Sequence, residues 1–157
     1  MADVVERWTQ AVDDRIKTAG VESGRRAAAL RTRILTALYK GGVRILLGTD
    51  SPQIFSVPGF SIHREMKSYV AAGMTPYEVI ASGTRVVAEY VSASREFGTI
   101  APGRRADLLL IQANPLEDVG NVARRAGVMV RGRFISEEEI QARLKTIAGS
   151  HASPPSQ

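Results

Sequence analysis

An α/β fold is what this 157-residue sequence predicts, and three observations carry the expectation. Residues 43–47 are a short apolar run with Gly41-Gly42 ahead of it and Gly48 behind it, which is how a strand buried on both faces of a parallel sheet reads. Stretches on either side carry apolar residues at steps of three and four, the helical period. Past Ser92 that period gives way to a second apolar run, 106–111, and to a hairpin pattern over 128–135.

The first stretch, 3–19, places Val4/Val5, Trp8, Ala11/Val12, Ile16 and Ala19 on one helical stripe, with Asp3 as N-cap and Gly20 as the stop. A second helix is expected from about Ser23 to Lys40, with Ala27, Leu30, Ile34 and Leu38 on its apolar face and most of its arginines turned away. Gly41-Gly42 ends it, because glycine takes positive φ without a Cβ penalty. The chain then enters the buried strand. At Gly48-Thr49-Asp50 the strand stops, and Ser51-Pro52 forbids its continuation, since proline has no N–H to give a ladder.

Residues 51–61 form a loop carrying Ile54, Phe55, Val57 and Phe60, more apolar than a surface loop needs; a segment folded over a cavity or against a partner fits this composition. A helix follows from about Ile62 to Ala72, closed by Gly73. Thr75-Pro76-Tyr77-Glu78 then reads as a capping box with proline at the first helical position, flanked by Met74 and Val79 at the staple positions. That helix runs to about Ser82, and 84–91 supply a further turn or two.

Ala101-Pro102-Gly103-Arg104 has the chemistry of a type II turn. The run 106–111 predicts a continuously buried strand, broken by Asn114-Pro115. Residues 128–135 predict a tight hairpin turning at Arg131-Gly132. Ser136 with Glu139 is a second capping box, opening a last helix over 137–149, and the Ser/Pro-rich residues 150–157 are expected to be disordered.

Composition narrows the function classes. Apolar content of 44% and charged content of 24% are those of a globular protein. The chain has no cysteine and two histidines, His63 and His151, which excludes disulfide staples, thiolate-bound metal and a self-contained His-rich metal site. Net charge is +5, but the arginine pairs at 25–26, 104–105 and 124–125 have no aromatic residues interleaved with them, so no nucleic-acid partner is expected. No apolar run approaches the roughly 18 residues that span a bilayer. The N-terminus has neither the basic nor the apolar region of a signal peptide, so the expected location is the cytoplasm, with no membrane partner.

Asp50 is the chemistry-bearing residue this pattern singles out. The carboxyl end of a strand is where α/β folds place ligands, and a carboxylate there binds a metal, takes a proton or caps a turn. Ser51 either orients Asp50 or a substrate, or only makes the turn. His63 opens a helix behind the apolar loop and is either a substrate contact or a surface residue. Phe55 and Phe60 either line a substrate pocket or cover core.

The order of motifs resembles a known family. Gly48-Thr49-Asp50-Ser51 is followed by His63-Arg64-Glu65-Met66, then by Ala72-Gly73-Met74-Thr75-Pro76-Tyr77-Glu78. Next come Phe97-Gly98-Thr99-Ile100-Ala101-Pro102-Gly103-Arg104-Arg105-Ala106-Asp107, Asn114-Pro115-Leu116-Glu117-Asp118 and a Gly-Arg hairpin. These six motifs in this order resemble the C-terminal part of the amidohydrolase superfamily, closest to its imidazolonepropionase-like and prolidase-like members, over residues 41–136.

The resemblance implies a C-terminal portion of a (β/α)8 metal-dependent hydrolase barrel over residues 1–91, part of its small β-sandwich over 92–136, the helix 137–149 and the tail 150–157. It implies that residues 43–47 are the eighth barrel strand. Asp50 is then the terminal metal ligand, which also accepts a proton from the metal-activated water during hydrolysis of non-peptide C–N bonds. The cofactor implied for the full-length family is a divalent metal, zinc above all, and the substrate is a small molecule, with Ser51 and His63 as candidate contacts. The family's His-x-His pair and its further metal ligands have no counterpart here. A whole barrel needs about 250 residues and a zinc site about three protein ligands. Alone, the chain is therefore expected to bind no metal and to be inactive, and a complementary N-terminal chain or a second copy is the partner expected. The alternative is a non-enzymatic remnant that associates through an exposed strand edge.

Overall fold

A computed structural model describes residues 2–152. It is a mixed α/β structure in the order α1 (Ala2–Lys40), α2 (Ile62–Ala71), α3 (Pro76–Ser82), α4 (Arg85–Tyr90), β1 (Leu108–Ile111), β2 (Arg125–Val130), β3 (Arg133–Ser136) and α5 (Glu137–Ala152). It divides into two compact units between Gly83 and Thr84, ahead of the 91/92 line drawn from the sequence. None of its helices is long and apolar enough to cross a membrane, among the described residues.

In the first unit, Gly20 breaks α1 at φ 75° and ψ 154°, and helical geometry resumes directly after it. The two helices expected there are one helical run with a glycine break. The helix ends in a Schellman motif, with Gly42 at φ 74°, the Gly42 N–H on the Tyr39 carbonyl and the Val43 N–H on the Leu38 carbonyl. α2 ends the same way, with Gly73 at φ 110°. The capping box of α3 is complete: the Glu78 N–H donates to the Thr75 hydroxyl and the Thr75 N–H to the Glu78 carboxylate. Met66, Tyr69, Ala72, Met74, Val79, Ala81 and Ser82 are buried and form the core of this unit.

One expectation fails here, and one apolar face stays uncovered. Residues 43–47 are not a strand and are not buried; Val43 is 51% exposed and the segment makes no ladder. Likewise the face of α1 that meets α2 and α3 is that of Thr36 and Tyr39, whereas Leu30, Ile34 and Leu38 remain exposed. A strand exists only with a neighbour to exchange hydrogen bonds, and among the described residues no strand lies beside this one. What holds the segment are the Leu47 N–H on the Ser82 carbonyl at 3.2 Å and the Tyr69 hydroxyl on the Leu46 carbonyl at 3.0 Å.

The second unit is built on an antiparallel sheet in the order β1-β2-β3. The register pairs Leu108 with Met129 and Met129 with Phe134. The hairpin turns at Arg131 and Gly132, with φ 49° and 83°, the two positive values that make a type I′ turn. Ahead of the sheet, Gly103 at φ 79° and the Arg104 N–H on the Ala101 carbonyl complete the type II turn. Helix α5 packs on β2 and β3, pinned by the Arg125–Glu137 ion pair at 3.0 Å. The continuous burial expected of 106–111 is not found: Leu108, Leu109 and Leu110 are all exposed, because β1 is an edge strand paired on one side only. Nor are residues 150–152 disordered; α5 runs on to Ala152, and the rest of the expected tail lies outside the described residues.

Candidate active site

Asp50 closes the segment that α2 and α3 hold in place. Burial first, and then the Glu65 carboxylate, push the Tyr69 phenol above its ordinary value of 10.0, so it stays protonated and donates to the Leu46 carbonyl. Four residues on, Asp50 takes φ 51°, a left-handed conformation that aspartate tolerates better than most side chains. Ser51–Pro52 is a cis peptide. The Asp50 carboxylate is exposed, and its Oδ2 accepts a hydrogen bond from the side-chain amide of Gln53.

The loop after Asp50 is a small, closely bonded turn. The Gln53 N–H bonds to the Ser56 carbonyl at 3.2 Å and the Ser56 N–H to the Gln53 carbonyl at 2.9 Å, so Ile54 and Phe55 stand at its tip. A chain of hydroxyls lies beneath: Thr49 to Ser51 at 2.8 Å, Ser51 to Ser56 at 2.6 Å, and the Ser56 hydroxyl donating to the Thr49 carbonyl at 3.3 Å. Arg64 of α2 donates to the Phe55 carbonyl at 3.2 Å. From the other side the Trp8 ring of α1 meets the Phe55 ring, centroids 5.7 Å apart and planes tilted by 59°. Ser51 thus belongs to the hydroxyl chain. His63 is the second residue of α2 and half-buried.

Among the described residues, no three His, Cys, Asp or Glu side chains stand together as a metal site. One carboxylate with an amide beside it does not fit a resident metal ion, for which about three protein ligands are the rule. What this arrangement provides is a single preoriented carboxylate on a pinned turn. Gln53, Ser56 and Trp8 were not singled out from the sequence. For Gln53 a signal exists, since a polar side chain three residues beyond Asp50 across a turn is within reach of it; Trp8 leaves none, because its partner Phe55 lies in a distant part of the sequence.

The profile of the Amidohydrolase family matches residues 10–135. The chain belongs to that family. Adenine deaminase 3 of Rhizobium meliloti (strain 1021) is 30% identical over 99 residues, which is 61% of this chain and 15% of the deaminase. Among solved structures, a bottromycin amidohydrolase aligns with a TM-score of 0.74 and 27% identity over 94% of this chain and 33% of its own. A Xaa-Pro dipeptidase aligns with a TM-score of 0.62 and 26% identity over 67% of this chain and 25% of its own. Molinate hydrolase gives 0.60 and 26% over 84% and 30%. The amidohydrolase chain described here therefore spans a third or less of the length of these relatives.

Proposed function

We propose that this chain supplies Asp50 to the active site of a cytoplasmic, metal-dependent hydrolase of non-peptide C–N bonds in a small molecule. The observation that carries the reading is the conjunction of family membership over residues 10–135 with a carboxylate held on a hydrogen-bonded turn at the end of the segment that Tyr69 and Ser82 anchor. In such a site Asp50 offers an oxygen donor to a divalent ion and a base for a water proton. A positioned base contributes about 10²–10⁴-fold to rate. The remaining ligands, and the neighbours that residues 43–47 need to become a strand, come from polypeptide outside these residues. The chain alone is accordingly inactive, and its partner is a complementary N-terminal barrel portion. His63 and Ser51 are the substrate-side candidates.

The test is to express the chain together with the polypeptide encoded upstream of it, load the product with Zn²⁺ or Mn²⁺, and screen amides, ureas, cyclic amidines and Xaa-Pro dipeptides. Turnover of a non-peptide C–N substrate that falls about 10²-fold or more in Asp50→Asn supports the proposal. Turnover confined to Xaa-Pro dipeptides overturns the substrate class, and undiminished turnover in Asp50→Asn overturns the role of Asp50.

A further inference from the structure

Two features of the first unit are unused by the reading above. Phe55 stands at φ 53°, a conformation that bulky side chains adopt only when surroundings impose it, and such outliers gather at functional sites. The α1 residues ahead of Gly20 form an arm that is exposed along most of its length, apart from the half-buried stripe Val4, Trp8 and Val12. Trp8 of that stripe is the ring that meets Phe55. At Gly20, φ 75° would strain any side chain, and there is open space around the Cα, so glycine there serves the direction of the backbone and not a close packing contact.

These contacts form one chain of linkage. Phe55 is carried by the turn whose two base residues are Gln53 and Ser56. Gln53 donates to Asp50, and Ser56 bonds to Ser51 and to the Thr49 carbonyl, the residues on either side of Asp50. A displacement of Phe55 therefore reaches the Asp50 carboxylate by two routes, one at each base of the turn.

We propose that Gln53 is a positioning residue for Asp50, and that the helical arm ahead of Gly20 sets Gln53 by latching Trp8 onto Phe55. The inference rests on the functional reading only for what Asp50 does; the latch itself is a matter of this chain's own geometry. With the arm down, Oδ2 of Asp50 is held by the amide and Oδ1 is left for the reaction centre. With the arm up, the turn is free to relax from its positive-φ conformation and the carboxylate loses its fixed direction.

The experiment uses the full chain and needs neither substrate nor metal. Trp8 is the sole tryptophan, so its emission and its quenching by acrylamide report on the arm alone, while the ¹⁵N resonance of the Gln53 side-chain amide reports on the turn. Phe55→Ala is expected to raise the undocked fraction between about twofold and tenfold, the range an aromatic pair contributes. That appears as a red shift of emission, stronger quenching, and movement of the Gln53 amide toward the position of an exposed amide. Phe55→Tyr keeps the ring and restores both signals. Gly20→Ala, which favours a straight helix, shifts Trp8 emission in the same direction as Phe55→Ala. Trp8→Leu leaves the loop sequence intact and moves the Gln53 resonance alone, which guards against a folding defect in the loop variants. Unchanged Trp8 emission in Phe55→Ala, or a Gln53 amide that neither Phe55→Ala nor Trp8→Leu moves, overturns the proposal. A latch that responds as expected in a chain whose completed enzyme hydrolyses nothing would leave this inference standing and remove only the hydrolase reading.

Discussion

The perturbation that tests the packing of the first unit most directly is Thr75→Ala. The Thr75 hydroxyl accepts from the Glu78 N–H at 3.3 Å and donates to Glu78 Oε2 at 2.6 Å, and the same carboxylate takes the Thr75 N–H at 2.8 Å and the Tyr39 hydroxyl at 2.9 Å. One side chain therefore caps α3 and ties it to α1. Removing an N-cap hydroxyl costs about 1 kcal/mol, and for a chain of 157 residues a loss of that size lowers Tm by about 2–4 °C. The pH dependence follows from the same contacts. Hydrogen bonds from the Thr75 hydroxyl first, then from its N–H and from Tyr39, hold the Glu78 carboxyl below its ordinary value of 4.5. The stabilisation is thus complete above 4.5 and is lost as pH falls through the lower folded value. Tyr39 is affected oppositely: its hydrogen bond to Glu78, then desolvation, then the carboxylate charge raise it above 10.0. Its contribution is complete below 10.0 and is lost as pH rises through the folded value. Stability of the parent should show a plateau between these limits, and Glu78→Gln should flatten the acid limb. Thermal and urea unfolding followed by circular dichroism, from pH 3 to 11, measures all of this. A Thr75→Ala chain within about 0.3 kcal/mol of the parent, or a Glu78→Gln chain with an undiminished acid limb, would refute the reasoning.

Three further outcomes are expected. Gly127→Ala places a Cβ 2.5 Å from the Phe134 ring and 2.8 Å from the Ile135 carbonyl oxygen; the carbonyl belongs to the paired strand and cannot swing aside, so unfolding titrations should show a loss of about 1–3 kcal/mol. Asp107 accepts the Arg131 N–H at 2.7 Å, and that bond, more than the Arg105 guanidinium, lowers its pKa below 3.8; Asp107→Asn should remove the part of the acid unfolding limb that lies below 3.8, read from unfolding midpoints against pH. Neither the N–H nor the carbonyl of Ile45 has a partner among the described residues; adding the complementary barrel polypeptide should slow amide exchange at Ile45, and an unchanged rate would mean that no strand forms beside it.

The sequence was legible wherever a structure is decided within a few residues. The Thr75–Glu78 capping box, the Gly42 and Gly73 helix ends, the turn at Gly103 and the hairpin at Arg131-Gly132 each depend on local hydrogen bonds and on φ at one or two positions, and each is where its residues announce it. It misled where a pattern encodes contact with something distant. Residues 43–47, the Leu30, Ile34 and Leu38 stripe and the leucines of β1 are all written for burial, yet none is buried: Val43, the stripe and the leucines are exposed, and residues 45–47 are half-buried. Hydrophobic periodicity tells which face is to be covered and says nothing of which polypeptide covers it. The candidate site divides in the same way. The break in the chain at Asp50 was readable from the end of the apolar run, whereas Trp8 on Phe55 joins residues that share no local pattern.

On the proposed function, the exposed apolar faces and the lone Asp50 carboxylate share one explanation in coverage. The bottromycin amidohydrolase takes up 94% of this chain with only 33% of its own length, so in that relative two-thirds of the polypeptide lies outside the shared part. A buried strand needs neighbours on both edges, a metal needs about three ligands, and contiguous exposed apolar faces mark interaction surfaces. Each requirement is unmet by the described residues, and under the proposed function one complementary polypeptide would meet all three. The first unit nevertheless keeps its own buried core around Val79 and Met66, and the Asp50 turn keeps its hydrogen bonds without any such neighbour. Under the proposed function the carboxylate is thus oriented before a site is assembled around it, and added polypeptide would bring ligands to Asp50 without having to reshape the loop that carries it.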